Sequence, residues 1–339
     1  MDEVHSLLWS LLVFCLTFFT GCAYFIIGAF SEIAPLRMIG KIDDDVYAWF
    51  TTNIYICLNF SVALGLPIFI AIRGLKKKSL TVSGAALGVF LAFFSILCHW
   101  SYLTALMSFF LTSSKATRYK SEAKRVIEGE NFKPGGQRNW IQVFCNGGVA
   151  FLITLLHLVC VGPGRDLPID FSAYYRASYL GSAYLGAMAA CNGDTWASEL
   201  GSVWCKSEPY LITTLQRVPK GTNGGVSPAG LVFSFMGGLT VGLAYYLPLY
   251  FLHEDLPARQ YYVVILGGLC GLLGSLIDSW MGATLQFSGL HRDKKYVVEE
   301  PGPDIDPICG SQILDNHSVN LFSSMLTAIA TPFLGNLMF

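Results

Sequence analysis

The sequence predicts an all-α, polytopic membrane protein, a bundle of about nine transmembrane helices with a cytosolic N-terminus. Three observations predict it. Hydrophobic residues make up 53% of the 339 positions and charged residues only 13%. Mean hydropathy is +0.51, above the usual soluble range. Apolar runs of about twenty residues recur along the chain, the length an α-helix needs to cross the hydrocarbon core.

The same numbers exclude other classes. A net charge of −1 supplies no field for nucleic acid. The ten cysteines are scattered without a CxxC pair. They form neither a disulfide framework nor a zinc site and read as small apolar packing residues. No soluble domain or low-complexity tail is evident, so any chemistry belongs in or beside the membrane.

The elements follow in chain order. The run over 6–30 has an acidic leader, MDEVH, and is too long for a signal peptide. It reads as a first transmembrane helix, a unit over 1–35 ahead of a polytopic domain over 36–339. Further spanning runs lie near 50–73, 139–162, 173–193, 228–252, 259–284 and 314–337. The run over 82–112 is long for one span and short for two.

Charge decides between the two. A hairpin breaking near Cys98–Ser101 puts the loops 73–78, 113–138, 205–220 and 287–300 on one side, with 17 of the 22 Lys and Arg. The positive-inside rule makes that side cytosolic. The opposite loops read IDDDVY, GPGRDLPID and HEDLPAR, and Asp43–Asp45 is a solvated turn. The membrane is expected to be the endoplasmic reticulum or another internal one.

Polar groups sit at the ends of the spans, all on the basic side. An ionisable residue near membrane depth is costly and needs a partner, a cavity or a ligand. In CNGDTWASELGS, Asp194 and Ser198 share a helix face one turn apart, and Glu199 is offset by about 100°. A carboxylate here either holds Mg²⁺ together with phosphate oxygens or caps a helix N-terminus. In RVPKGTNGGVSPAG, Gly221, Thr222, Asn223, Gly224 and Gly225 allow a left-handed backbone and a nest of N–H groups for an anion. The alternative is a flexible interhelical loop. In GSLIDSWMGATLQ, Asp278 and Gln286 lie eight apart on one face. In LDNHSVNLFSS, Asp315 starts the last helix, and Asn316, Asn320 and Ser323 make a polar stripe. His317 lies off that stripe and reads as interfacial. Lys115 and Arg138 are the basic residues nearest the membrane and are expected phosphate contacts.

Together these residues can hold a metal–nucleotide beside a lipid. Asp194, Glu199 and Asp278 are the expected catalytic group, with Asp194 and Asp278 as Mg²⁺ ligands. Phosphoryl transfer needs mainly positioning and charge neutralisation, which these residue types supply.

GDTWASELG, VPKGTNGGVSPAGL, GSLIDSWMGATLQ and LDNHSVNLFSS, preceded by SSKATRYK and GGQRNWIQVFCNGG, closely resemble the transmembrane protein 19 family, the integral membrane family also known as domain of unknown function 92. The resemblance runs from about residue 36 to the C-terminus. It implies kinship with plant phytyl-phosphate kinase, and the GDTxAS motif with its Gly-rich loop is similar to CTP-dependent dolichol and phytol kinases. It implies metal or phosphate roles for Asp194 and Glu199, a nucleotide-phosphate loop at Gly221–Gly225, and further site roles for Asp278, Asp315, Asn316 and Asn320. The expected function is CTP- or ATP-dependent phosphoryl transfer to an isoprenoid monophosphate at the cytosolic face. A lipid transporter or flippase, or a non-catalytic scaffold, are the alternatives.

Overall fold

The computed structural model describes residues 61–120, 136–205, 207–294 and 296–339. The predicted first helix over 6–30, the start of the 50–73 span and Asp43–Asp45 lie outside these residues. A helix stands at every other predicted span. Helix α1 occupies 61–76. It is followed by α2 (Val82–Cys98), α3 (Trp100–Arg118), α4 (Trp140–Cys160), α5 (Tyr175–Trp196), α6 (Pro228–Leu252), α7 (Tyr262–Leu285) and α8 (Asn316–Met338). By length and composition α4, α6, α8 and the segment Ala258–Leu285 around α7 can each cross a bilayer.

The ambiguous run is a hairpin. It breaks at His99, whose extended backbone (φ −162°, ψ 130°) ends α2 and caps α3. Both far ends of the hairpin meet Arg138: the Thr81 amide donates to its carbonyl, and its guanidinium donates to Ser114 Oγ at 2.8 Å. The start of α2 and the end of α3 therefore lie at one level. Asn139 then starts α4 with a reciprocal Asn139–Gln142 capping box.

Helix α5 is the centre of the bundle. Its sequence, YRASYLGSAYLGAMAACNGDTW, is mostly small, and residues 181–193 are buried without interruption. It packs on α3, α4, α6, α7 and α8. Small residues let helix backbones approach closely, which drives helix association in lipid. A Cβ on Gly193 would stand 2.6 Å from the Gly271 carbonyl oxygen of α7, so glycine is required at this crossing.

The described segments that follow α1, α3, α5 and α7 and lead into α2, α4, α6 and α8 all lie at the same end of the bundle. Two of them carry strand, which the all-helical prediction lacks. Strands β1 (Tyr210–Leu211) and β2 (Gly225–Val226) pair antiparallel, and β3 (Ser288–His291) lies between β4 (Val297–Val298) and β5 (Ile305–Cys309), also antiparallel. These ladders satisfy loop backbone groups outside the helices and cover one end of the bundle.

Candidate functional site

One cavity of about 400 Å³ opens at this end, between α3, α4, α5, α7, α8 and the loop before α6. Asp194, Ser198, Glu199, Asp278, Gln286, Asn316, Asn320, Arg138 and Gly221–Gly225 all line it. Lys115 and Asp315 are exposed and do not line it. Asp315 is instead the N-cap of α8, its carboxyl held below the usual range by the Ser318 hydroxyl and amide.

Asp194 lies inside the last turn of α5, so the helix N-terminal cap reading does not hold. Beyond it the helix widens into a π-turn over Ala197–Gly201. A π-turn pairs residues five apart instead of four. Glu199 lies within this π-turn and lines the same cavity as Asp194. The Ser198 hydroxyl bonds back to the Asp194 carbonyl at 3.1 Å. Gly201 lets the widened turn sit on the start of α6: a Cβ there would lie 2.7 Å from Gly230 Cα.

Asp278 reaches the cavity from α7. Each aspartate is held by one serine: Ser275 Oγ donates to Asp194 Oδ1 at 3.4 Å, and Ser323 Oγ donates to Asp278 Oδ2 at 3.2 Å. Both aspartates line the one cavity, Asp194 from α5 and Asp278 from α7. Neither makes an ion pair among the described residues. Nor do those residues hold any cluster of three or more His, Cys, Asp or Glu fit for a metal.

Arg138 supplies positive charge to the cavity. Burial pulls its guanidinium below its ordinary basicity, and the Glu199 carboxylate acts against that shift. Lys220 also lines the cavity, but its ammonium donates to the carbonyls of Ser202 and Cys205 and ties the loop to the end of the π-turn.

The Gly-rich loop is ordered. The Thr222 amide donates to the Pro219 carbonyl, the Asn223 amide to Ser288 Oγ and the Gly225 amide to the Thr222 carbonyl. Three of the five expected anion donors are thus used internally. What the loop presents to the cavity is a close-set wall. Gly224 has φ +79°, and a Cβ there would sit 2.6 Å from the Ser279 carbonyl oxygen of α7. The loop backbone lies directly on the Asp278 helix, and no other residue fits.

Behind the site stands Asn192, which sequence reasoning passed over. It is fully buried. Its Oδ1 accepts from Thr112 and Ser113, both at 2.9 Å, and its Nδ2 donates to the Gly237 carbonyl at 2.8 Å and to Thr240 at 3.0 Å. It joins α3, α5 and α6 two residues before Asp194. The signal was present in the sequence: an amide inside a run of small and apolar residues must find partners. Gln142, Asn146, Thr195, Ser275 and His317 also line the cavity. Asn146 stands out in the sequence by its Gly–Gly neighbours, and His317, which the sequence suggests is interfacial, lies on the cavity wall.

The comparisons with known proteins agree with this architecture. The model of the integral membrane protein family DUF92 matches residues 65–328. The chain belongs to that family. It is 42% identical over 272 residues to Protein PGR of Arabidopsis thaliana, covering 79% of this chain and 93% of that protein. It is 27% identical over 209 residues to the uncharacterized membrane protein MJ0933 of Methanocaldococcus jannaschii, covering 62% and 74% of the two chains. It is 28% identical over 187 residues to the uncharacterized membrane protein sll0875 of Synechocystis sp., covering 55% and 64%. No solved structure matches the chain. It is an integral membrane protein, and the matched region contains every residue that lines the cavity.

Proposed function

We propose that this protein transfers a phosphoryl group from a nucleoside triphosphate, CTP or ATP, to an isoprenoid monophosphate at the cytosolic face of an internal membrane. The observation that carries the reading is the Asp194–Asp278 pair: two carboxyl groups that line one cavity at the end of a membrane bundle, neither of them in an ion pair among the described residues. Such a pair fits Mg²⁺, which is commonly held by one or two carboxylates with the remaining positions filled by water and phosphate oxygens. Bound there, the ion would neutralise charge on the phosphates.

The chain's own residues supply the rest. Arg138 lines the cavity and can hold the acceptor phosphate. The Gly221–Gly225 wall brings backbone close to the donor phosphates. Glu199, Gln286, Asn316 and Asn320 offer further polar contacts for orientation. In the step itself an acceptor phosphate oxygen bonds to the γ-phosphorus, and the bond from that phosphorus to the nucleoside diphosphate breaks. The products are a lipid diphosphate and a nucleoside diphosphate. A phosphate monoester loses its second proton with a pKa of about 6, so the attacking oxygen is already ionised near neutral pH. No histidine base is required.

A transporter needs a polar path through the bundle. Here Leu185, Met188 and the stacked rings of Tyr102 and Tyr184, 3.8 Å apart, fill the interior beyond the cavity. That packing supports an enzyme over a carrier.

The test is a transfer assay on purified protein in detergent, with Mg²⁺, labelled CTP or ATP, and a panel of isoprenoid alcohols and monophosphates. Label in a lipid diphosphate, absent with Asp194→Ala, is the expected result. Label only in a monophosphate would move the reaction to the alcohol. No transfer from either donor by folded protein would overturn the reading.

A further inference from the structure

A second cavity touches the first. It is a narrow slot of about 60 Å³ between α1, α2, α3 and α4. Its lining is apolar except for Arg138, Gln142 and Asn146, and those three residues also line the polar cavity. The two spaces therefore meet at Arg138, with charge on one side and hydrocarbon on the other.

The sequence builds this slot by periodicity. Ala85, Gly88, Val89 and Ala92 recur at helical spacing and make one small-residue face of α2. On α4, Val143 and Gly147 line the slot one position along from Gln142 and Asn146, so one helix carries both linings. The α2 face from Ala85 to Ala92 runs about 10 Å along the helix axis. A single water needs about 10–15 Å³ on the same measure of volume. The slot thus admits one file of small groups and has no width for two chains side by side.

We propose that this slot holds the hydrocarbon tail of a single-chain lipid phosphate whose phosphate lies at Arg138, and that Gly88 sets the room for that tail. The proposal rests on the phosphoryl-transfer reading and adds to it a place and a chain number for the acceptor. An apolar lining can take the tail from bilayer hydrocarbon without exposing it to polar groups, and packing rather than transfer from water sets the fit. The slot ends on Arg138, a half-buried cation that a phosphate can pair with. A diacyl lipid would leave its second chain outside.

Gly88 makes the proposal testable without disturbing the fold. A Cβ there meets no atom within 4 Å, and α2 gains helix propensity when glycine is replaced. In Gly88→Leu the new side chain occupies the slot.

Two measurements are made on the full-length protein in detergent. The first compares kcat/KM for farnesyl monophosphate with that for dimethylallyl monophosphate. Gly88→Leu is expected to lower the ratio by about tenfold, the scale of a few lost apolar contacts in a pocket. The second is independent of turnover: a prenyl monophosphate carrying a diazirine at its tail end is photolysed on the protein and the adduct mapped. Adducts on α2 and α3 around Gly88 and Met107, lost in Gly88→Leu, are expected. Farnesyl monophosphate should compete for them and phosphatidic acid should not. An unchanged ratio with adducts elsewhere would overturn the slot while leaving the transfer reading intact. Equal competition by phosphatidic acid would overturn the single-chain assignment. Adducts in the slot with no transfer to any acceptor would sustain the slot and overturn the kinase reading.

Discussion

Asp194 on α5 and Asp278 on α7 line one cavity, each steadied by a single serine hydroxyl, Ser275 for the first and Ser323 for the second. Carboxylates taken out of water without a cation cost stability, and a bound cation offsets that cost. Asp278→Asn keeps an acceptor for Ser323 and removes one charge. Its thermal midpoint without Mg²⁺ should match or exceed the wild-type value. Its transfer rate should fall by at least about a hundredfold, the usual cost of losing one preorganised electrostatic group. Differential scanning fluorimetry and the labelled-nucleotide assay read the two effects. A variant that lost stability and kept activity would contradict the assignment.

Divalent cation should stabilise the wild-type protein. A ligand present at about a hundred times its Kd contributes about 2.7 kcal/mol. Millimolar Mg²⁺ should therefore raise the thermal midpoint in detergent, and chelator should reverse it. Asp194→Asn and Asp278→Asn should each abolish the shift. Because no third carboxylate, His or Cys joins the pair among the described residues, nucleotide should enlarge the shift by completing the ligand set.

Much of this was legible in the sequence, because lipid leaves few alternatives to a helix. The apolar runs located the helices, and the bias of basic residues found the break at His99 that hydropathy alone leaves open. The polar residues that end those runs were found as well, and most of them share one cavity. What the sequence did not show depends on contacts between distant segments. The π-turn at Ala197–Gly201 depends on how Gly201 meets Gly230, and no local pattern encodes that. The amides of the Gly-rich loop are spent on Pro219, Ser288 and the loop itself, so composition overstated the nest. Lys115 and Arg138 look alike by position, yet Arg138 is tied to Ser79 and Thr81 from 57 or more residues away while Lys115 faces outward.

Asn192 should be a stability residue with a secondary effect on activity. Replacing it with alanine strips the acceptor from the Thr112 and Ser113 hydroxyls, while the Gly237 carbonyl keeps the Thr240 hydroxyl as its donor. Leaving such groups unpaired costs about 1–3 kcal/mol each, so a loss of about 3 kcal/mol overall is expected. Thermal denaturation in detergent measures it. A loss below about 0.5 kcal/mol, the range of ordinary surface changes, would show that the four bonds are not formed.

Gly224→Ala should act on the site and spare the bundle. At φ +79° an L-residue is strained, and the added methyl would press on the Ser279 carbonyl and on Ala283. Left-handed strain costs about 1–2 kcal/mol, and the clash forces the loop off α7. Since the loop lies outside the helices, the thermal midpoint should move little, while transfer falls and KM for the nucleotide rises, because the wall against the donor phosphates retreats from Asp278. Kinetics with varied nucleotide at fixed acceptor separate this from an acceptor defect. A rise confined to the KM of the lipid would place the loop against the acceptor instead.

The far end of the bundle offers the matching control. Asp166, in the loop between α4 and α5, accepts from the Trp100 amide at 2.6 Å and lies 3.0 Å from His99 Nδ1. It thus caps α3 where the hairpin turns. Asp166→Ala should cost about 1–2 kcal/mol, as the loss of an N-cap acceptor does, and Asp166→Asn should cost less because an acceptor oxygen remains. Neither residue of that turn lines the cavity, so kcat and both KM values should stay near wild type in the fraction that remains folded. A large kinetic change in Asp166→Asn at unchanged stability would mean that the two ends of the bundle are coupled.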